Sequence, residues 1–186
     1  MNLFINTISK DAHIILFDDN RMISDKIIFE IKGNESSLLI PTLDSFLKKN
    51  NLKYDEIKNI VLVNGPGSFT GVRTVVLAIN SINYITNNNL TAISYFDLFK
   101  NYPIVKSSSK RDCFFKENQE NNIEIILNED LQNYLKQKNL STIYGEADIE
   151  NVEIIENIDY LSIIAEIRFD NLKKIEPLYI KKPNIC

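Results

Sequence analysis

Ile60-Val61-Leu62-Val63-Asn64-Gly65-Pro66-Gly67-Ser68-Phe69-Thr70-Gly71-Val72-Arg73 sets the architecture of this chain, and an apolar run continues from it to Ile85. A β-branched run, a turn rich in Gly and Pro, and about four turns of helix-period apolar residues spell strand, tight loop and helix. Three of the five glycines of the protein, Gly65, Gly67 and Gly71, fall in this one loop. Such crowding implies backbone at positive φ or a close approach by another group. Ser68 or Thr70 can cap the helix that follows, since a side-chain oxygen there satisfies orphan N–H groups of the first turn.

Two catalytic readings of the loop fail on spacing. A phosphate-binding Walker A loop ends in Gly-Lys-Ser/Thr, and Gly71 is followed by Val72 with no Lys nearby. A nucleophile elbow needs G-x-S-x-G, whereas Gly67 directly precedes Ser68. What survives is an anion or nucleotide resting on the N–H groups of Gly65, Gly67, Ser68, Thr70 and Gly71, with Arg73 adding charge, set against a purely structural turn. The helix from about Thr70 to Thr86 is apolar nearly all round, so it is covered on more than one side, by the sheet and by another helix of this chain or of a partner.

At 186 residues and 44% apolar content the chain is long enough for one or two lobes with a real core. No stretch reaches the roughly 20 apolar residues that span a bilayer, and the N-terminus runs straight into a strand, so a cytoplasmic protein without membrane contact is expected. A net charge of −4 disfavours direct capture of nucleic acid. The basic spots Lys106 to Arg111, Lys173-Lys174 and Lys181-Lys182 read as solvated surface. Cys113 and Cys186 supply neither a disulfide framework nor a zinc site, and Cys113 reads as a small buried apolar residue.

Taken in order, residues 2–5, 13–17 and 22–31 form an antiparallel meander, helical spacing runs from about 36 to 49, and a strand at 90–93 precedes a helical piece at 94–99. Asn101-Tyr102-Pro103 marks a lobe boundary. Beyond it lie strands at 104–105, 112–115 and 123–127, a helix at 129–138, strands at 142–144 and 152–155, and a helix at 159–169.

Asn64-Gly65-Pro66-Gly67-Ser68-Phe69-Thr70-Gly71-Val72-Arg73 resembles the G-R-G-P-G-S-F-T-G-[LI]-R loop of the TsaB (YeaZ) family, the non-catalytic partner of TsaD in bacterial tRNA threonylcarbamoyladenosine synthesis. Leu39-Ile40-Pro41 stands in the place of that family's L-L-P, with Glu35 where the family has His. The ending Glu176-Pro177-Leu178-Tyr179-Ile180-Lys181 is similar to its P-x-Y-[LI]-R. The family's opening I-D-T-S reads Ile5-Asn6-Thr7-Ile8 here, and an amide is a weaker ligand than a carboxylate for the magnesium that nucleotide-hydrolysing relatives hold. The match is good over the first ~100 residues and the tail, and weak between.

The resemblance implies an α/β fold of the ASKHA (actin-like ATPase, ribonuclease H-like) type, with residues 1–101 as the first lobe and 102–186 as a shortened second lobe. It implies a scaffold without catalytic residues, pairing with a TsaD-type transferase through Leu39, Leu43 and Phe46 of one helix and Val72, Val76, Ile79 and Asn83 of the next. A TsaE-like ATPase joins the pair, tRNA is reached only through the complex, a homodimer forms when the chain is alone, and ATP and metal are handled by the partners. TsaD itself is excluded because its H-x-x-x-H metal motif cannot be built from one histidine, His13. The competing readings are a stand-alone ASKHA-type nucleotide-binding enzyme and a homodimeric structural module.

Overall fold

The computed structural model describes residues 1–31, 33–149 and 152–181. The chain forms two compact units, one of residues 1–95 with 161–178, the other of residues 96–160 with the segment from Tyr179.

In the first unit, β1 (Asn2–Asn6), β2 (Ala12–Phe17) and β3 (Ile23–Phe29) form the expected meander. After α1 (Glu35–Lys49) comes β4 (Asn59–Val63), then α2 (Phe69–Thr86) and β5 (Asn89–Ile93). The sheet order is β3-β2-β1-β4-β5, with β1, β4 and β5 parallel. Because successive side chains point to opposite faces, the sheet has two apolar sides. Leu3, Ile5, Ile14, Leu16, Ile60 and Leu62 meet α1 and α2 in one core. Phe4, Ile15, Phe17, Val61 and Val63 are buried facing the other way, where Phe169 stacks on Phe17 with ring centroids 6.3 Å apart. Strands covered on both faces are nearly continuous in apolar residues, which is why β1 and β4 read as the short runs Leu3-Phe4-Ile5 and Ile60-Val61-Leu62-Val63 beside buried asparagines.

The second unit repeats this plan. β6 (Ile104–Ser107), β7 (Asp112–Lys116) and β8 (Glu124–Leu127) are antiparallel, α3 (Asn128–Gln137) follows, and β9 (Thr142–Glu146) and β10 (Glu153–Ile155) run parallel to β6. The order is β10-β9-β6-β7-β8. Val105, Cys113, Phe115 and Ile143 pack beneath Leu131 and Leu135 of α3.

The last helix, α4 (Tyr160–Glu166), is where the expected boundary fails. The sequence assigned everything after residue 101 to the second lobe, whereas Leu161–Leu178 belongs to the first unit. Ile163 and Ile164 are buried. Arg21 stacks on Phe169 with its guanidinium 4.0 Å from the ring centroid and donates to the Ile167 carbonyl at 2.9 Å. Beyond it, Leu172 bridges to Leu90 of the edge strand β5. This strap closes an edge that would otherwise present unpaired backbone groups.

Candidate functional site: the glycine loop and the paired helices

The loop after β4 is held from both sides. Asn64 N–H donates to the Ile93 carbonyl at 3.0 Å, and Tyr95 N–H donates to the Gly65 carbonyl at 2.7 Å. Asn64 also receives the strap: its carbonyl accepts from Leu178 N–H at 2.9 Å, and its amide donates to the Glu176 carbonyl at 2.8 Å. Gly65 has φ +131°, and a Cβ there would stand 2.7 Å from the Leu178 carbonyl oxygen. Both reasons for glycine anticipated from the sequence therefore coincide at one residue. Gly67 lies against Ile8 and Val72.

Ser68, and not Thr70, caps α2: its hydroxyl oxygen accepts from Gly71 N–H at 3.4 Å. A Cβ on Gly71 would meet the Glu35 carboxylate at 2.7 Å, and the same oxygen of Glu35 accepts from Gly33 N–H at 3.2 Å. An acid of the chain's own thus lies against the first turn of α2, where negative charge is favoured by the helix dipole. Arg73 is exposed and makes no ion pair among the described residues. Gly65, Gly67 and Ser68 lie in the turn, Thr70, Gly71 and Arg73 at the start of α2, and Glu35 is the neighbour that sequence reasoning passed over as a missing histidine.

Asn6 is fully buried. Its side-chain carbonyl accepts from Ile8 N–H at 2.9 Å and its amide donates to the Ser9 hydroxyl at 2.8 Å. It closes its own turn, as Asn commonly does. His13 lies on β2, opposite Asn6 of β1 and Ile28 of β3. Among the described residues, no three His, Cys, Asp or Glu side chains gather where they could share a metal ion.

The residues named for partner contact require a correction. Leu39, Leu43, Phe46, Val72, Val76 and Ile79 all lie in the chain's own core between α1, α2 and the sheet. Asn83 is buried too, donating to the Lys173 carbonyl at 3.3 Å. The reason is geometric: an α-helix apolar all round does not reveal which side meets which neighbour. Three sides of α2 are used within the unit. Val72, Val75, Val76 and Ile79 meet the core, Ala78 and Ile82 are partly buried against it, and Asn80 pairs with both backbone groups of Ile175 at 2.9 Å.

What remains is a stripe of Phe69, Arg73, Leu77, Ser81, Tyr84 and Ile85 at i, i+4 and i+3 spacing. Leu77 is 55% exposed, Ile85 80% and Tyr84 89%. On α1, Leu38 and Ile40 are also exposed. Arg73 and Ser81 are two of the polar positions of the helix that fall on this side.

Two smaller readings are revised or completed. Lys106 is not solvated surface: it is buried and donates to Glu146 at 2.6 Å across β6 and β9. Cys113 is buried as expected, and burial, with Asp112 adjacent, pushes its thiol up to about 12. Cys186 and Lys182 lie outside the described residues.

Two five-stranded sheets of the same order, and a helix launched from a glycine turn after β4, define an ASKHA-like fold. The family model that matches is described as TsaD, tRNA N6-adenosine threonylcarbamoyltransferase, over residues 31–100, which contain α1, the loop and α2. The chain is 26% identical over 191 residues to an uncharacterized protein of Mycoplasma pneumoniae, the MG208 homolog, covering 97% of this chain and 95% of that one. It is 42% identical over 50 residues, 27% of this chain and 22% of the relative, to the tRNA threonylcarbamoyladenosine biosynthesis protein TsaB of Buchnera aphidicola subsp. Baizongia pistaciae.

Among solved structures, YeaZ from Pseudomonas aeruginosa superposes with a TM-score of 0.53 at 15% identity, over 68% of this chain and 64% of that chain. A crystal structure described as an uncharacterized protein with similarity to peptidase YEAZ from Pseudomonas aeruginosa superposes with a TM-score of 0.66 at 11% identity, over 97% of this chain and all of that one. The chain is thus similar to TsaB in sequence over part of its length and to YeaZ in fold.

Proposed function

We propose that this chain is the non-catalytic scaffold subunit of the machinery that makes threonylcarbamoyladenosine in tRNA, pairing with a TsaD-type transferase in the cytoplasm. The observation that carries the reading is the outward stripe of α2. Three sides of the helix are used inside the unit, yet Leu77, Tyr84 and Ile85 stay exposed on the fourth. Apolar residues in line on a rigid helix mark a protein contact. The likeness to TsaB, a protein named for this biosynthesis, and the match of residues 31–100 to the TsaD family model support a TsaD-type partner.

In this reading the transferase holds the metal and the threonylcarbamoyl donor, and a TsaE-like ATPase turns over ATP. The present chain holds no cofactor firmly and reaches tRNA only through the complex. In the absence of its partner the stripe associates with a second copy of itself. Asn6 and Glu35 support the division of labour: one amide closes its own turn, and one acid of the chain already lies against the first turn of α2.

The test is co-purification of the full chain with the TsaD-type transferase of the same genome, comparing wild type with Leu77→Glu and Tyr84→Glu. Both side chains face outward, so each variant keeps the wild-type melting temperature while complex formation falls by at least about tenfold, as expected for loss of an interface anchor. Unchanged binding in two folded variants removes the assigned surface.

A further inference from the structure

The second unit carries a pocket of 420 Å³ at one end of its sheet. Its rim comes from three places: Ser107, Ser109 and Lys110 at the β6–β7 turn, Asn128 at the start of α3, and Ala147 and Asp148 after β9. Cys113 of β7 is the buried floor. The volume lies within the range of small-ligand sites, about 300–1,000 Å³.

The turn that carries Lys110 is held in place before any ligand arrives. The Ser109 hydroxyl donates to the Asp112 carboxylate at 2.7 Å and accepts from Arg111 N–H at 3.1 Å. Asn128 donates through its backbone to the Arg111 carbonyl at 2.9 Å and through its side chain to the Lys110 carbonyl at 3.3 Å. Asp112 is further anchored by Lys181 at 2.6 Å.

Against this tied framework, the two charges of the rim stand out. Lys110 and Asp148 line the same pocket, carry opposite sign, and pair neither with each other nor with any other described residue. Between them lie neutral hydroxyl and amide groups above a floor of Cys113. A simple anion would meet Asp148 and the nearby acids Glu129 and Asp130 of the first turn of α3. A simple cation would meet Lys110. A nucleobase would find no aromatic side chain in the lining on which to stack. The arrangement suits a molecule that carries both charges on a short frame.

We propose that this pocket binds a free α-amino acid with a small uncharged side chain, its carboxylate at Lys110 and its ammonium at Asp148. Both charges of the protein are solvent-exposed, so affinity is modest, roughly millimolar. The inference stands apart from the interface on α2, which lies in the other unit.

The experiment is a titration of the full isotopically labelled chain with L-alanine, followed by amide chemical shifts, with N-acetyl-alanine and alanine amide as probes lacking one charge each. Saturable shifts confined to residues near Lys110, Asn128 and Asp148 are expected, and each single-charge probe binds at least tenfold more weakly. In Asp148→Asn, L-alanine weakens to the level of N-acetyl-alanine; in Lys110→Gln it weakens to that of alanine amide. Both substitutions are at exposed positions, and the spectra themselves report whether the fold is kept. Shifts that do not saturate, equal binding of the three probes, or variants that bind L-alanine like wild type each overturn the proposal.

Discussion

Gly65 and Gly145 show what a missing side chain achieves in this protein. Gly65 adopts φ +131° with the Leu178 carbonyl 2.7 Å from where a Cβ would stand. Gly145, inside β9, adopts φ +117°, and a Cβ there would lie 1.9 Å from the Val105 carbonyl oxygen on the neighbouring strand. An Ala at either site meets backbone, which cannot rotate away. Gly65→Ala is expected to lower the stability of the first unit by about 1–3 kcal/mol. Gly145→Ala costs the second unit more, because strand β9 has to leave β6; urea unfolding followed by circular dichroism ranks the two. The sequence announced Gly65 through the crowding of glycines around it. Gly145 stands alone between Tyr144 and Glu146 in a strand pattern, where an isolated glycine is itself the sign of a close backbone approach. Glu35 was legible only as a departure from a motif, because its role is to lie against Gly71, a contact made across 36 residues of chain that no local pattern encodes.

At the scale of elements, period and punctuation gave every strand and helix described above to within a few residues, from doubly covered runs such as β4 to the alternating β3 and the capped α2. The failure was one of direction. In α2 the apolar residues surround the axis, so Val76 and Leu77 look alike in the sequence although one is 2% and the other 55% exposed. Their glutamates separate the two environments. Val76→Glu places a charge in a dry core and is expected to cost several kcal/mol, enough to unfold the unit. Leu77→Glu stays within about 0.5 kcal/mol of wild type. Thermal melts of the isolated chain distinguish them before any partner is added. A second element-level prediction concerns the tie between the tail and β7. Hydrogen bonds from Lys181, then from Ser109, hold the Asp112 carboxyl below its ordinary range. A carboxyl lowered in the folded state contributes stability that is complete above its unfolded pKa of about 4 and is lost as pH falls through the folded value. Lys181 is 43% exposed, so the contribution is under about 1 kcal/mol. Unfolding free energies of wild type and Asp112→Asn should therefore differ at pH 7 and converge toward pH 2.

For the whole molecule, the two sheets have the same order when their strands are counted within each unit, a meander of three followed by two parallel additions. The second copy of the plan is economical: among the described residues it has one helix, α3, where the first has α1 and α2 on the corresponding connections. The first unit is completed from the far end of the chain. Leu172 bridges Leu90, Asp170 N–H donates to the Thr91 hydroxyl at 2.8 Å, Asn80 takes both backbone groups of Ile175, and Asn64 takes Leu178. Sequence reading placed that segment in the second lobe because it sits there in chain order; the contacts that return it include asparagine amides whose partners are 95 and 112 residues away. The arrangement has a thermodynamic consequence. A fragment of residues 1–95 keeps all five strands but leaves the β5 edge, Asn80 and the positive-φ turn at Gly65 without the strap that satisfies them. Buried amides that lose partners cost about 1–3 kcal/mol each, and a domain has only about 5–15 kcal/mol in total. The fragment alone is expected to show helical and strand signal without a cooperative melt, and a synthetic peptide of residues 161–178 added in trans should restore the transition in a concentration-dependent manner. An N-terminal fragment that melts cooperatively by itself, with no response to the peptide, would show that the strap is dispensable to the first unit.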